Sequence, residues 1–127
     1  DGWLVVTASS DHTAKLWSAD SGECIRTFGE HSAGMNSVSF SPDGARVITA
    51  CVDGIAKLWS TESGECFRTL ECHGRWLNGA AFSPDGASLV TACGDCTARL
   101  WNCESGECWL TLRDHSDEVV SASFPPD

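Results

Sequence analysis

Apolar residues along the chain occur in short runs, and sequences that favour turns separate these runs. Between residues 35 and 70, for example, four runs cover residues 35–40, 46–51, 55–59 and 66–70. They are separated by Ser-Pro-Asp-Gly, Val-Asp-Gly and Glu-Ser-Gly, whose residues favour the backbone angles of tight turns. Runs of this length between turns predict β-strands. The run from Val47 to Cys51 is apolar on both alternating faces, which is typical of a sheet packed between two other sheets.

The whole pattern repeats every 42 residues, since Asp-Gly occurs at positions 1, 43 and 85 and Asp127 stands where a fourth copy would begin. Other columns keep the same period, among them Trp17, Trp59 and Trp101, and the Ser-Gly-Glu-Cys sequence at 21, 63 and 105. We therefore divide the single domain 1–127 into repeats 1–42, 43–84 and 85–126. Each repeat reads as strands b, c and d of one four-stranded unit, followed by strand a of the next unit. One such unit cannot bury its own apolar faces, so neighbouring units are expected to stack.

These columns resemble the WD-repeat β-propellers over the whole chain. The resemblance rests on His31, on Phe-Ser-Pro-Asp-Gly at 40–44, and on Asp53 followed six residues later by Trp59. The dipeptides that name the family are altered, because Gly-His is replaced by Glu-His, Cys-His and Asp-His, and Trp-Asp by Trp-Ser and Trp-Asn. The resemblance implies an all-β fold, a β-propeller of four-stranded antiparallel blades with three blades per chain. It also implies a non-catalytic scaffold that binds proteins or peptides.

In this family each blade carries a hydrogen-bonded tetrad of His, Ser or Thr, Asp and Trp. The resemblance implies three tetrads here, which are His31, Cys51, Asp53 and Trp59; His73, Cys93, Asp95 and Trp101; and His115, Ser9, Asp11 and Trp17. Cysteine replaces the hydroxyl residue in the first two. Because thiols form weak hydrogen bonds, the nearby Thr49 and Thr91, or water, are alternatives for that position. The third tetrad is divided between the two ends of the chain.

The divided tetrad leads us to expect that the ring closes between chains. The sequence begins at a second strand and ends with a first strand, near residues 118–124. A ring of three blades would need about 120° between neighbours, whereas typical propellers have about four to eight blades. Two chains would supply six blades and three chains nine, and we favour the nine-blade homotrimer with the six-blade homodimer as the alternative. The sequence is also consistent with a designed or excised set of blades whose only property is self-assembly, or with a fragment of a longer natural propeller.

The net charge indicates which classes of partner to expect, and the cysteine content indicates the redox compartment. Eight Lys and Arg against eighteen Asp and Glu give a net charge of −10, which disfavours nucleic acid and anionic membrane surfaces as partners. No apolar run is long enough for a membrane-spanning helix. Most of the eight cysteines fall at repeated columns, so they are interpreted as small buried side chains, reduced in a cytoplasm-like compartment.

For the His and Cys residues that could form a catalytic or metal-binding site, a structural role explains the sequence better. Three of the four His recur at the period, which indicates an architectural role. The sequence Cys93-Gly94-Asp95-Cys96 with Cys103 and Cys108 resembles a zinc spacing, but most of these cysteines are explained by strand or repeat positions. No Gly-x-Ser-x-Gly turn or phosphate-binding glycine loop occurs. We therefore expect no catalytic site, no metal and no cofactor.

The resemblance also implies a binding face, formed by the loops before strand a and after strand b. The matching residues are Gly34, Asn36, Arg75, Trp76, Asn78, Glu118 and Val120 before or at strand a, and Ser10, Val52 and Gly94 after strand b. Arg75 and Trp76 are the strongest candidates there, since Arg and Trp are common anchors of protein interfaces. The alternative is that Trp76 packs over its own blade.

Overall fold

The fold is built from eleven strands, seen in a computed structural model that describes residues 3–29, 32–72, 75–113 and 115–126. The strands are β1 (Leu4–Ala8), β2 (Ala14–Ser18), β3 (Cys24–Phe28), β4 (Met35–Phe40), β5 (Arg46–Cys51), β6 (Ile55–Ser60), β7 (Cys66–Glu71), β8 (Leu77–Phe82), β9 (Ser88–Cys93), β10 (Ala98–Asn102) and β11 (Cys108–Leu112). The prediction of an all-β chain is confirmed. Predicted strands 35–40 and 46–51 have the observed bounds, and the next two extend one residue further.

Consecutive strands pair antiparallel and form three sheets. Sheet 1 contains β1 to β3, sheet 2 contains β4 to β7, and sheet 3 contains β8 to β11, each in chain order. The register is the same in each sheet: Trp59 on β6 lies opposite Val47 on β5, as Trp17 lies opposite Val5 on β1. The repeated sequence therefore builds a repeated structure, in which each sheet is a succession of hairpins.

The turn between β4 and β5 shows why the Ser-Pro-Asp-Gly sequence ends a strand. Asp43 Oδ1 accepts hydrogen bonds from Ser41 Oγ at 2.7 Å and from the Ala45 N–H at 3.0 Å. Gly44 has a φ of 75°, a left-handed conformation that glycine adopts without steric strain. The Ala45 N–H and the Ser41 hydroxyl hold the pKa of the Asp43 carboxyl below its usual range. The side chain thus closes the turn as an acceptor.

The core lies between sheets rather than inside any one of them. Phe28 of sheet 1 packs against Trp59 of sheet 2, with ring centroids 5.4 Å apart. Leu70 of sheet 2 belongs to a second buried cluster together with Leu89 and Trp101 of sheet 3. Strand β5 is buried along both faces from Val47 to Cys51, as its apolar pattern predicts. Sheet 2 is therefore stabilised by a neighbour on either side.

The predicted final strand near residues 118–124 is not a strand. Residues 118–124 form no ladder with any strand of the described chain, although Val119 is buried and its N–H donates to the Cys93 carbonyl at 3.0 Å. Met35, at the start of β4, donates in the same way to the Ser9 carbonyl at 3.0 Å. The segment thus makes the contact that a first strand makes with the sheet before it. A strand also requires a hydrogen-bonded neighbour, which this segment does not have among the described residues.

Candidate functional site

The predicted binding residues lie at one edge of the stacked sheets, where β5 and β9 end and β4 and β8 begin. We call this edge the loop face; its predicted members are Ser10, Gly34, Asn36, Val52, Arg75, Trp76, Asn78, Gly94, Glu118 and Val120. Backbone hydrogen bonds of 2.9 Å join the Val52 N–H to Gly34 and the Gly94 N–H to Trp76. Ser10 lies next to Gly34, because a Cβ on Gly34 would be 3.1 Å from the Ser10 Cα atom. The fold therefore joins the loops before strand a to those after strand b.

Trp76 is a half-buried residue of the loop face. Its ring lies over Gly94, where an added Cβ would approach the Trp76 Cε2 atom to 2.5 Å. The indole Nε1–H donates to Glu118 Oε1 at 3.1 Å, and the Arg75 guanidinium lies 5.7 Å from the ring centroid. Trp76 therefore packs over its own sheet, the alternative that the sequence left open. The exposed Arg75 remains the more accessible of the two.

Asn36 joins β4 to β8, and Asn78 joins β8 to the segment 118–124. The Asn36 side-chain amide donates to the Leu77 carbonyl at 2.7 Å. The Asn78 amide donates to the Val119 carbonyl and to Glu118 Oε1, both at 2.8 Å. The next residue in this column is Val120, whose side chain cannot donate and which is 69% exposed. These hydrogen bonds give both asparagines a structural role in the packing, whether or not they also bind a partner.

The tryptophans of the implied tetrads all donate to threonine. The indole N–H groups of Trp17, Trp59 and Trp101 reach the hydroxyls of Thr7, Thr49 and Thr91 at 2.9, 3.0 and 3.0 Å. The expectation that Cys51 and Cys93 replace this hydroxyl was wrong, as was the expectation that Ser9 provides it in sheet 1. The threonine two residues earlier lies on the same face of the strand and is the one that meets the indole.

The thiols at these positions have a different role. Cys51 Sγ donates to the carbonyls of Ala33 and Gly34, both at 3.2 Å, in the loop that precedes β4. Cys93 Sγ contacts the Arg75 carbonyl at 4.0 Å in the equivalent loop. Burial is the main cause that raises the pKa of both thiols. The two cysteines therefore act as neutral, weak donors that anchor the loop face.

The aspartates of the implied tetrads form the turns after β1, β5 and β9. Asp11, Asp53 and Asp95 each accept, at 3.0 Å, the backbone N–H of the residue two positions later. Asp53 also accepts from Ser32 Oγ at 2.8 Å, and Asp95 forms an ion pair with Arg99 at 3.0 Å. Of the implied histidines, His31 and His73 lie outside the described residues, and His115 is exposed.

The described chain gives no sign of a metal site or a membrane span. No group of three or more His, Cys, Asp or Glu side chains among the described residues is arranged to hold a metal ion. The same residues contain no helix that is both long enough and apolar enough to traverse a bilayer. All eight cysteines lie within the described ranges and none is in a disulfide.

A cleft at the opposite edge of sheets 2 and 3 was not predicted from the sequence. It has a volume of about 640 Å³ and lies between the turns that follow β4 and β8. Its lining includes Asp43, Arg46, Asp85, Cys103 and Glu104, and an Arg46–Glu104 ion pair of 3.3 Å spans the two sheets. The Cys103 thiol has its pKa raised mainly by burial. The cleft is thus lined mainly by residues of the two turns, with three carboxylates and one guanidinium in its lining.

At the two ends of the stack, residues are exposed whose equivalents in the other repeats are buried inside the stack. Val5 of β1 is 44% exposed, whereas Val47 and Leu89, in the same column, are fully buried. Trp17 is likewise only half-buried, while Trp59 is 3% exposed. We call this surface of sheet 1 the N-terminal end surface; its residues are Val5, Thr7 and Trp17. It corresponds to the face of sheet 2 that receives Phe28.

The opposite end of the stack shows the complementary exposure. Leu112 of β11 is 45% exposed, whereas Phe28 and Leu70, in the same column, are buried against the following sheet. Leu110 is 44% exposed. We call this surface, formed by Leu110, Leu112 and the segment 118–124, the C-terminal end surface. Exposed apolar patches of this kind are typical of interaction sites.

The comparison with family models finds a repeat at two positions. The model described as WD domain, G-beta repeat matches residues 22–60 and 64–102, which together exceed half of the chain. Each match begins at or next to the turn before an outer strand and ends on the strand that carries Trp59 or Trp101. Each matched unit therefore spans the boundary between two sheets.

Several curated proteins are similar to parts of the chain. WD repeat-containing protein 37 of Homo sapiens is 47% identical over 36 residues, which are 28% of this chain and 7% of that protein. Eukaryotic translation initiation factor 3 subunit I of Coccidioides immitis is 42% identical over 43 residues, 34% of this chain and 12% of that protein. F-box-like/WD repeat-containing protein TBL1X of Mus musculus is 44% identical over 41 residues, which are 32% of this chain and 8% of that protein. The matches thus span about a tenth of each relative.

The position of Trp76 can be tested by the substitution Gly94→Ala. The new Cβ would overlap the Trp76 ring, so we expect the indole to move away from Glu118 and the free energy of unfolding to fall by about 1–3 kcal/mol. The indole N–H resonance and urea unfolding report the two effects. Gly79→Ala is the control, because nothing lies within 4 Å of a Cβ there. An unchanged Trp76 resonance in Gly94→Ala would contradict the described packing.

Proposed function

Because the chain belongs to the WD-repeat family, whose repeats form protein-interaction scaffolds, we propose that it is a non-catalytic scaffold that completes a β-propeller by association with copies of itself. In this proposal, each sheet is one blade. The segment 118–124 of one copy is the first strand of the blade whose other strands are β1 to β3 of a second copy.

One observation carries the proposal: the two end surfaces are the two halves of a boundary that occurs twice inside the chain. At the first interior boundary Phe28 packs against Trp59. The same columns at the ends are Leu112 and Trp17, and both are more exposed than their counterparts. Joining them in the interior geometry would cover the apolar area on both surfaces, which is the main driving force for association of this kind.

The interior register also predicts how the divided blade is paired. In sheet 2, Phe40, Ser39, Val38 and Ser37 lie opposite Val47, Ile48, Thr49 and Ala50. Sheet 3 repeats this register between β8 and β9. The equivalent pairs between copies are Phe124 with Val5, Ser123 with Val6, Ala122 with Thr7, and Ser121 with Ala8. The outer edge of β1 then receives a hydrogen-bonded neighbour strand, which it does not have among the described residues.

The number of copies follows from closure of the ring. Two copies would form six blades and three copies nine, with about 60° or 40° between neighbours. We favour three copies, because the rotation at each boundary is smaller and is spread over more boundaries. Two copies are the alternative. A closed ring leaves no end surface exposed in either case.

The loop face is the part of this scaffold that we propose for binding proteins or peptides. Arg75 and Val52 are exposed there, and Trp76 is half-buried beneath Arg75. Guanidinium and aromatic groups are enriched in the centres of protein interfaces. The net charge of −10 favours protein partners over nucleic acid or anionic membranes. The alternative is that self-assembly is the only property of the chain.

We further propose that the protein works in a reducing, cytoplasm-like compartment. Burial raises the pKa of the Cys72 thiol to about 12 and also raises the pKa of Cys51 and Cys103. These thiols pack as small neutral side chains.

The mass in solution tests the assembly. The chain has a mass of 13.5 kDa, so sedimentation equilibrium is expected to give three times this value for nine blades or twice this value for six. Leu112→Asp places a charge in the proposed boundary and should yield a monomer. Val52→Asp is the matched control, because Val52 is 46% exposed but lies on the loop face. A wild-type protein that stays monomeric at high micromolar concentration would exclude the assembly.

Binding at the loop face can be tested with Arg75→Ala. Immobilised wild-type protein is expected to retain a partner from a cell extract that the Arg75→Ala protein loses at least about tenfold, since Arg anchors often contribute more than 1 kcal/mol. Arg46→Ala is the control, because it removes one positive charge from the cleft at the edge opposite the loop face. Equal retention by both variants, or no specific partner for the assembled wild type, would favour self-assembly as the only property.

A further inference from the structure

An arginine reaches from sheet 1 to sheet 2 across the boundary between them. Arg26 on β3 donates from Nη1 to the Ser63 carbonyl at 3.1 Å and from Nη2 to the Glu62 carbonyl at 2.5 Å. Both carbonyls belong to the turn between β6 and β7. The guanidinium thus binds two backbone acceptors of the following sheet with its planar fork of donors.

The same contact recurs at the next boundary. Arg68 on β7 donates from Nη2 to the Glu104 carbonyl, in the turn between β10 and β11. The arginine stem lies over a glycine in both cases, since a Cβ on Gly64 would be 2.6 Å from the Arg26 Cδ atom and one on Gly106 would be 2.8 Å from the Arg68 Cδ atom. We call this arrangement, an arginine over the turn glycine of the following sheet, the arginine clamp.

The clamp has no counterpart at the C-terminal end surface. The residue in the arginine column of β11 is Leu110, which is 44% exposed. At the other end of the stack, Gly22 occupies the glycine column, and nothing lies within 4 Å of a Cβ built on it. Among the described residues, neither Leu110 nor Gly22 therefore takes part in an arginine clamp. At Leu110, an apolar side chain replaces the arginine.

We propose that Leu110 of one copy lies over Gly22 of a second copy, so that the boundary between copies is held by apolar contact without an arginine clamp. This inference rests on the proposed self-assembly. Each interior boundary has charge-assisted hydrogen bonds to backbone carbonyls, whereas this one has none at the same place. The boundary between copies is therefore the weakest in the ring, and it opens first when the protein is diluted.

Two features of the chain indicate that a second copy covers the C-terminal end surface. The end surfaces carry equivalent columns of one repeat, so the geometry that joins Arg26 to the turn at Gly64 also brings Leu110 to the turn at Gly22. The turn at Gly22 also has the same φ as those at Gly64 and Gly106, 75° against 76° and 76°. The Gly22 N–H donates to the Ser18 carbonyl as the Gly64 N–H donates to the Ser60 carbonyl, so this turn has the conformation that accepts an arginine at the interior boundary.

The substitution Leu110→Arg tests the inference by building the absent clamp. We expect it to strengthen self-association by roughly tenfold to a hundredfold in sedimentation equilibrium, as bonds from a charged donor allow. Thr69→Arg is the control, because it adds the same charge at an exposed position of β7, away from both end surfaces. Tightening by Leu110→Arg and not by Thr69→Arg supports the proposal. No tightening in a chain whose wild type assembles overturns it and leaves the assembly standing.

A second variant separates failure of the clamp from failure of the assembly. Arg68→Leu gives an interior boundary the side chain found at Leu110, and we expect a lower urea midpoint of unfolding in the monomeric Leu112→Asp background. If the wild type and Leu110→Arg are both monomeric at every concentration, self-assembly and this inference both fail, whatever Arg68→Leu shows. If Arg68→Leu unfolds at the same midpoint as its parent, the clamp contributes nothing and the inference fails alone.

Discussion

A sheet that is apolar on both faces is stable in water only when another sheet covers each face, and this constraint determines the rest of the structure. Residues Val47 to Cys51 of β5 are buried along both faces because sheet 1 packs on one side and sheet 3 on the other. The equivalent β1 has no sheet on its outer side among the described residues, and Val5 is 44% exposed. The exposed apolar residues of the two end surfaces therefore follow directly from the periodicity.

Hydrogen bonds between neighbouring sheets supplement this apolar stacking. Asn36 joins β4 to β8 and Asn78 joins β8 to the segment 118–124, while Arg26 and Arg68 join the outer strands to the next sheet. Between sheets 2 and 3 the asparagine link starts on the first strand and the arginine link on the last, so this boundary is held at both edges of the sheets. The chain lacks an arginine in this column only at Leu110, on the surface that we propose for contact between copies.

The sequence predicted the strands and turns well because both depend on local properties. Alternating apolar runs and the Ser-Pro-Asp-Gly turns determine β4 and β5 to the residue. Segment 118–124 has a similar pattern but no strand partner among the described residues, which local sequence cannot reveal. The hydroxyl that accepts from Trp59 was misassigned because Thr49 and Cys51 lie on the same face, and only the pairing of β5 with β6 shows which one meets the indole.

Contacts between distant residues were the least predictable. Trp76 was expected either to bind partners or to pack, and its place over Gly94 depends on how two loops meet. The arginine clamp was not predicted, because the acceptors of Arg26 and Arg68 are backbone atoms of a neighbouring sheet, for which the sequence carries no signal.

Amide hydrogen exchange of β1 tests whether this strand pairs with a second copy of the chain. If residues 121–124 of one copy pair with residues 5–8 of another, exchange in peptides covering β1 should slow markedly as protein concentration rises, because free edge N–H groups become hydrogen-bonded. Strand β7, the outer edge of sheet 2, is the internal reference and should exchange at the same rate throughout. Exchange of β1 that stays fast at every concentration would exclude pairing between copies.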